Sequence, residues 1–172
     1  VLPGLINTHG HVGETRGLRS GPELFDAANV RRQLGLYARY GVTTVFSLGG
    51  DQAPGFKVRA EQVRGPTSVA RLFVAGPVLT PATPEEARTQ VDAAAALGPD
   101  LLKIRVDDNL GTAPKMSPDV YGAVIARARE RGLRVAAHVY YLADAKGVLR
   151  AGADFVAHSV RDQPVDDELV AL

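Results

Sequence analysis

The sequence has no cysteine among its 172 residues. That absence excludes disulfides, thiolate zinc sites and cysteine nucleophiles together, so any metal must be held by histidine, carboxylate or a less usual donor. An excess of charge is missing too: 20 basic and 19 acidic residues are interspersed and leave a net charge of +1. Such a chain has no long-range field to hold nucleic acid or an anionic membrane, and the expected partner is a small-molecule substrate. Long apolar runs are also lacking, because Gly, Pro or charge interrupts every stretch short of the roughly 20 residues a transmembrane segment needs. The chain starts at Val1, and Val1-Leu2-Pro3-Gly4 reads like the middle of something longer. A signal peptide ahead of it would be invisible, which leaves a cytoplasmic and a periplasmic or secreted location both open.

What is present is ordinary for a globular chain, with 45% hydrophobic and 23% charged residues, enough for one domain with a real core. Short β-branched or apolar runs alternate with longer segments of helical period, the pattern of βα units and a parallel sheet. The candidate strands are Leu5–Thr8, Val42–Leu48, Ala70–Ala75, Leu101–Val106, Leu133–His138 and Asp154–His158. Between Glu23 and Tyr40 apolar positions fall near helical spacing, and Gly41 ends the run. Thr83-Pro84-Glu85-Glu86 has a cap, a first-turn proline and a capping-box glutamate, with Gly98 as the stop. Ser117-Pro118-Asp119 repeats that start and Gly132 the stop, while Leu142–Ala151 ends at Gly152. The stretch Gly49–Thr67, rich in glycine and charge, reads as a long loop with one helical turn.

Parallel strands with crossover helices either close into an eight-stranded barrel or stay open as a doubly wound sheet. The first strand–helix junction lacks the Gly-rich phosphate loop of dinucleotide folds and has His9-Gly10-His11 instead. All four histidines lie at or just past a candidate strand end: His9 and His11 after strand one, His138 at the end of strand five, His158 at the end of strand six. In a barrel these ends gather on the face where active sites are built. Strand side chains alternate, so the two members of a His-x-His pair project to one side and could share a cation. Alone, such a pair is suggestive only, because surface histidines produce it by chance.

Lys103 stands in Leu101-Leu102-Lys103-Ile104, the most apolar strand context of the chain. A lysine can lay its stem on apolar surface and reach water, but these neighbours argue for burial. A buried ammonium should find a carboxylate or become neutral, and a neutral amine can react with carbon dioxide. The product is a carbamate with two anionic oxygens, able to bridge two divalent cations.

These residues carry a family resemblance along the whole chain. Val1-Leu2-Pro3-Gly4-Leu5-Ile6-Asn7-Thr8-His9-Gly10-His11 resembles the opening barrel strand of the amidohydrolase superfamily, PGLIDxHxH, departing from it at Asn7. Gly98-Pro99-Asp100-Leu101-Leu102-Lys103-Ile104 is similar to the fourth-strand GADxxKI segment of its imidazolonepropionase-like and prolidase-like branch. Val135-Ala136-Ala137-His138 and Gly152-Ala153-Asp154-Phe155-Val156-Ala157-His158 resemble the fifth- and sixth-strand histidine motifs of that branch. The resemblance implies an α/β fold, a partial TIM (β/α)8 barrel of parallel strands with about six of its eight βα units. It also implies that His9 and His11 bind the more buried metal, Lys103 bridges as a carbamate, and His138 and His158 bind a second metal. Imidazole and carboxylate-like oxygen suit zinc first, with manganese, iron or cobalt fitting the same ligands. Two such ions would activate a water and polarise the scissile carbonyl.

The family's pattern closes with an Asp at the end of strand eight, expected beyond Leu172; Asp166 and Asp167 are not that residue, since the segment after strand six is expected to be helical. Residues 1–172 are thus expected to form an incomplete barrel domain, without its last units and a flanking β-sandwich. Such a fragment should be nearly inactive alone and should associate, as a homo-oligomer, through open edges at strands one and six. Tyr140, Tyr141 and Arg161 follow the later histidines and are candidates for substrate binding, with surface packing the plainer alternative. Glu14 and Arg16 rank below them, and Asp107 and Asp108 read as features of a loop or helix start. The implied activity is hydrolysis of an amide or cyclic amide C–N bond in a dipeptide or N-acyl amino acid. Lactone, ester or phosphotriester hydrolysis on the same metals, or a non-catalytic barrel, are the alternatives.

Overall fold

The computed structural model describes residues 2–172; Val1, which opens the first motif, lies outside them. The chain divides into two compact units that meet in sequence at Pro77 and Val78.

In the first unit, β1 (Leu5–Gly10) leads to a short hairpin of β2 (Thr15–Arg16) and β3 (Arg19–Ser20), and a 3-10 turn at Pro22–Leu24 follows. Helix α1 (Ala27–Arg39), β4 (Val42–Ser47), α2 (Ala53–Val63) and β5 (Arg71–Val74) complete it. The strands β1, β4 and β5 lie side by side in that order and run parallel. Asp26 starts α1 by accepting from the Asn29 amide at 2.7 Å, a side-chain cap. Buried Asn29 then donates to the carbonyls of Gly13, Thr15 and Leu24, which ties the hairpin to the helix. Val30 and Leu34 of α1 pack with Val45, Val58, Leu72 and Val74 in the core.

The second unit begins with β6 (Val78–Leu79) and continues through α3 (Pro84–Ala96), β7 (Leu102–Arg105), α4 (Pro118–Glu130), β8 (Val135–His138), α5 (Leu142–Ala151), β9 (Phe155–Val156) and α6 (Asp167–Ala171). Its sheet order is β6-β7-β8-β9, parallel throughout. Leu102 and Ile104 of β7 are buried with Val91 of α3, Val124 and Ala128 of α4, and Val148 of α5. Among the described residues no helix is long and apolar enough to cross a membrane.

Several boundaries differ from expectation. Residues 53–63 are a helix, α2, rather than loop. Pro54 suits its first turn, and Gly55, which reads as a breaker, lets the helix approach Phe25: a Cβ there would stand 3.3 Å from the ring. The expected third strand, Ala70–Ala75, shortens to β5; Gly76 then takes a left-handed φ of 75° and Pro77 has no N–H for a ladder, and the short strand β6, which is not among the expected strands, follows them. Strand six shortens to Phe155–Val156, so His158 lies two residues past it. Thr83 caps α3 by accepting from the Glu86 amide, and Glu86 accepts from the amide of Ala82. Ser117 stands at the start of α4 but makes no side-chain cap bond.

Asp51, at the loop after β4, laces that loop to the one after β5. Its Oδ2 accepts from the amides of Ala75 and Gly76 at 2.9 and 3.1 Å, and its own amide donates to the Gly76 carbonyl. The side chain is 6% exposed, and among the described residues Oδ1 has no hydrogen-bond partner. Burial pushes the Asp51 carboxyl up to about 6; nearby Glu14 adds to this, while Ser47 and the two amides oppose it. A carboxyl whose folded pKa lies above its unfolded value stabilises the fold at low pH, and that contribution is lost as pH rises from about 4 through 6. Asp51→Asn keeps an acceptor for the two amides and removes the charge. Urea unfolding should therefore show the variant gaining up to roughly 3 kcal/mol on wild type between pH 4 and 7. A difference between the two that does not change with pH would contradict this account of Asp51.

Candidate functional site

His9 lies within β1 rather than after it, because the strand runs to Gly10. The pairing of β1 with β4 shifts between Asn7 and Gly10, a bulge of the kind that re-aims side chains near functional sites. Asn7, where the resembling motif has Asp, accepts from the His9 amide at 3.0 Å. His11 follows the strand, and the two rings lie 5.4 Å apart, tilted by 57°. The His11 Nδ1 is 3.0 Å from the Gly49 carbonyl oxygen. A carbonyl only accepts, so Nδ1 carries the proton and Nε2 presents its lone pair. This pair of imidazoles lies within the first unit.

The second unit contributes Lys103, His138 and His158. Lys103 sits in the middle of β7, opposite Ala136 of β8, and is 3% exposed. Among the described residues no carboxylate lies within ion-pair distance of it, and burial alone brings its amine down to about 8. Burial thus favours the neutral amine more than in an exposed lysine, although below about pH 8 the charged form still predominates. His138 ends β8, beside Arg105 in the neighbouring strand, and its ring meets that of His158 edge-on with centroids 4.2 Å apart. Burial, with the charges of Lys103 and Arg105 adding, pushes His138 below the usual imidazole range, although Asp107 pulls the other way. At neutral pH the ring is a neutral donor.

Asp107, which reads as a loop feature in the sequence, is buried against His138: its Oδ2 is 2.6 Å from Nε2. Burial pushes its carboxyl up, but bonds from the Asn109 amide, Arg105 and His138 outweigh this and hold it low. The sequence signal that could have found it is register. Asp107 lies two residues beyond the end of β7, and that strand's neighbour ends on His138. Asp107 also lines a cleft of about 480 Å³ with Thr80, Arg105, Lys115 and Met116. Asp108 takes a hydrogen bond from the Tyr141 hydroxyl at 2.9 Å, and Lys115 sits over the Tyr141 ring while pairing with Asp144. The Arg161 guanidinium lies 5.7 Å from the centre of the Tyr140 ring. Arg16 is an exposed partner of Asp26.

Within neither unit do three His, Asp or Glu side chains among the described residues form a group able to hold a metal ion unaided. In the second unit the candidate donors are the imidazoles of His138 and His158 and the amine of Lys103, with Asp107 already engaged by His138. An unmodified amine offers one lone pair, whereas its carbamate would offer two anionic oxygens. With that change the donors are nitrogen and oxygen, which fit zinc or a similar divalent ion.

Parallel strands alternating with helices in each unit, with His11, His138 and His158 at or just past strand ends, are the pattern of an α/β barrel protein. The chain belongs to the amidohydrolase family, whose sequence pattern matches residues 1–169. Similar solved structures include a putative prolidase from Bifidobacterium longum, at 29% identity and a TM-score of 0.79, with 98% of this chain and 42% of that chain covered. A Xaa-Pro dipeptidase with methionine bound in its active site matches at 21% identity and a TM-score of 0.73, covering 88% of this chain and 47% of that one. Molinate hydrolase matches at 20% identity and a TM-score of 0.79, covering 98% and 49%. The chain spans less than half the length of each, and the last two likenesses speak for the fold alone. No curated protein matches the chain in sequence. The fold is accordingly part of an amidohydrolase barrel, with parallel strands and helices in alternation.

The state of Lys103 has a measurable consequence. A lysine whose folded pKa, about 8, lies below its unfolded value of 10.5 makes the folded state bind fewer protons, so stability rises with pH across that interval. Below about 8 the fold holds a buried cation at a cost. Lys103→Met, similar in length and apolar, should stabilise the metal-free chain at pH 7 by up to roughly 3 kcal/mol, with the gain vanishing by pH 10.5. Denaturant unfolding in buffer purged of carbon dioxide measures this. A variant less stable than wild type at pH 7, or a gain independent of pH, would refute it.

Proposed function

We propose that this chain is the ligand-bearing part of a metal-dependent hydrolase that cleaves an amide or cyclic amide C–N bond in a dipeptide or N-acyl amino acid. The observation that carries the proposal is Lys103, an amine 3% exposed with no carboxylate to pair with it among the described residues. Bulk packing would favour methionine or leucine at such a position, so a lysine there is explained by what its nitrogen can become. The metal ligands are His9 and His11 in the first unit and Lys103, as a carbamate, with His138 and His158 in the second. Zinc is the first choice for these donors. When bound, such ions supply a water activated at neutral pH and a Lewis acid for the scissile carbonyl.

The chain's own residues do the rest by holding and orienting. The Gly49 carbonyl leaves Nε2 of His11 as its donor, and the 4.2 Å edge contact keeps His138 and His158 in each other's reach. Arg161, braced over Tyr140, offers a guanidinium to the carboxylate that a dipeptide or acylated amino acid carries. The putative prolidase among the similar structures supports a substrate of this class.

The test is a panel of Xaa-Pro and other dipeptides, N-acyl amino acids, lactones and a phosphotriester, given to the full-length protein loaded with zinc. At least one C–N substrate should turn over, with activity lost on chelation and reduced at least roughly 100-fold by His158→Ala. Turnover that survives chelation, or that is confined to the lactones or phosphotriester, would sink the proposal.

A further inference from the structure

Asp107 is a buried carboxylate whose two oxygens have separate work. Oδ1 accepts from the Asn109 amide at 3.1 Å and from Arg105 Nε at 3.1 Å, which shapes the loop after β7. That loop is under strain, since Asn109 and Leu110 both take left-handed φ, at 51° and 59°, a conformation that costs non-glycine residues free energy. Arg105 braces it further by donating to Asn109 Oδ1 at 2.8 Å. A purely structural role in the turn accounts for Oδ1 and leaves Oδ2 unexplained. Oδ2 stands 2.6 Å from Nε2 of His138, the last residue of the adjacent strand.

An ionised carboxylate only accepts, so the nitrogen facing it must carry the proton. We propose that Asp107 is a positioning residue for His138: its Oδ2 fixes the ring as the Nε2–H tautomer and leaves Nδ1, with its lone pair, as the nitrogen that ligates a divalent ion. The metal half of this rests on the function proposed above; the tautomer half stands on the geometry alone. A hydrogen bond from the far nitrogen to an anion also strengthens the imidazole as a ligand, and partners of this kind tune metal affinity by roughly 10- to 100-fold. The rigid, strained loop is what keeps Oδ2 at that distance.

Only four histidines are present, so ¹⁵N-histidine NMR of the chain at pH 8 can resolve each ring. The expected result for wild type is a neutral His138 protonated at Nε2. Asp107→Ala should lose that single tautomer and weaken zinc binding, measured by calorimetric titration, by roughly 10- to 100-fold. Asp107→Asn, whose amide oxygen can still accept from Nε2, should keep the tautomer and lose less affinity. A wild-type ring protonated at Nδ1, or an Asp107→Ala chain with unchanged tautomer and affinity, overturns the inference. A wild-type chain that shows the Nε2–H tautomer yet binds no zinc supports the positioning role and removes the metal centre instead. If Asp107→Ala fails to fold, the wild-type tautomer and the Asp107→Asn spectrum still decide the matter.

Discussion

The second unit is organised around the burial of one amine. Lys103 occupies the middle of β7, flanked by Leu102 and Ile104, which are fully enclosed by the helices α3, α4 and α5. Water cannot reach the amine freely, and no anion in the strand neighbourhood compensates it. A site that holds an ammonium at such a cost is poised to favour the neutral form, and the neutral form is the reactive one. Lowering the amine from 10.5 to about 8 raises its neutral fraction near neutral pH by roughly two orders of magnitude. The lysine's chemistry thus follows from the packing that surrounds it.

In each unit the candidate donors are set by hydrogen bonds at the ends of strands. Backbone ladders fix where β7 and β8 end, and the register places Arg105 against His138. The loop that follows β7 then returns Asp107 to the end of β8. The first unit uses the same economy with different atoms, for the Gly49 carbonyl at the end of β4 meets Nδ1 of His11. In both cases a fixed acceptor chooses which imidazole nitrogen keeps its lone pair. The rigidity lies in the sheet and its immediate loops, which is where a site needing accurate placement of donors is best built.

The parallel α/β architecture was legible because strands buried on both faces read as apolar runs and the helices between them have proline starts and glycine stops. Leu101–Val106 illustrates this: its burial, Lys103 included, is visible from the neighbours alone. Helix α2 was not legible, since Gly55 looks like a breaker until Phe25 is seen filling the space beside it. The start of β6 beyond the expected third strand depends on the backbone at Gly76 and Pro77. The roles of Asp107, which reads as a loop feature, and of Asp51 were not legible for a common reason. Each acts across a gap in sequence, on His138 and on Ala75 and Gly76 respectively, and pairing between chain segments carries no local pattern.

Whether Lys103 becomes a ligand decides the proposed chemistry. The most direct measurement is ¹³C NMR of the chain equilibrated with zinc and ¹³C-bicarbonate. The prediction is a carbamate carbon resonance that depends on zinc and is absent from Lys103→Ala. A zinc-bound chain that shows no such resonance, with Lys103 still titrating as a free amine, would contradict it.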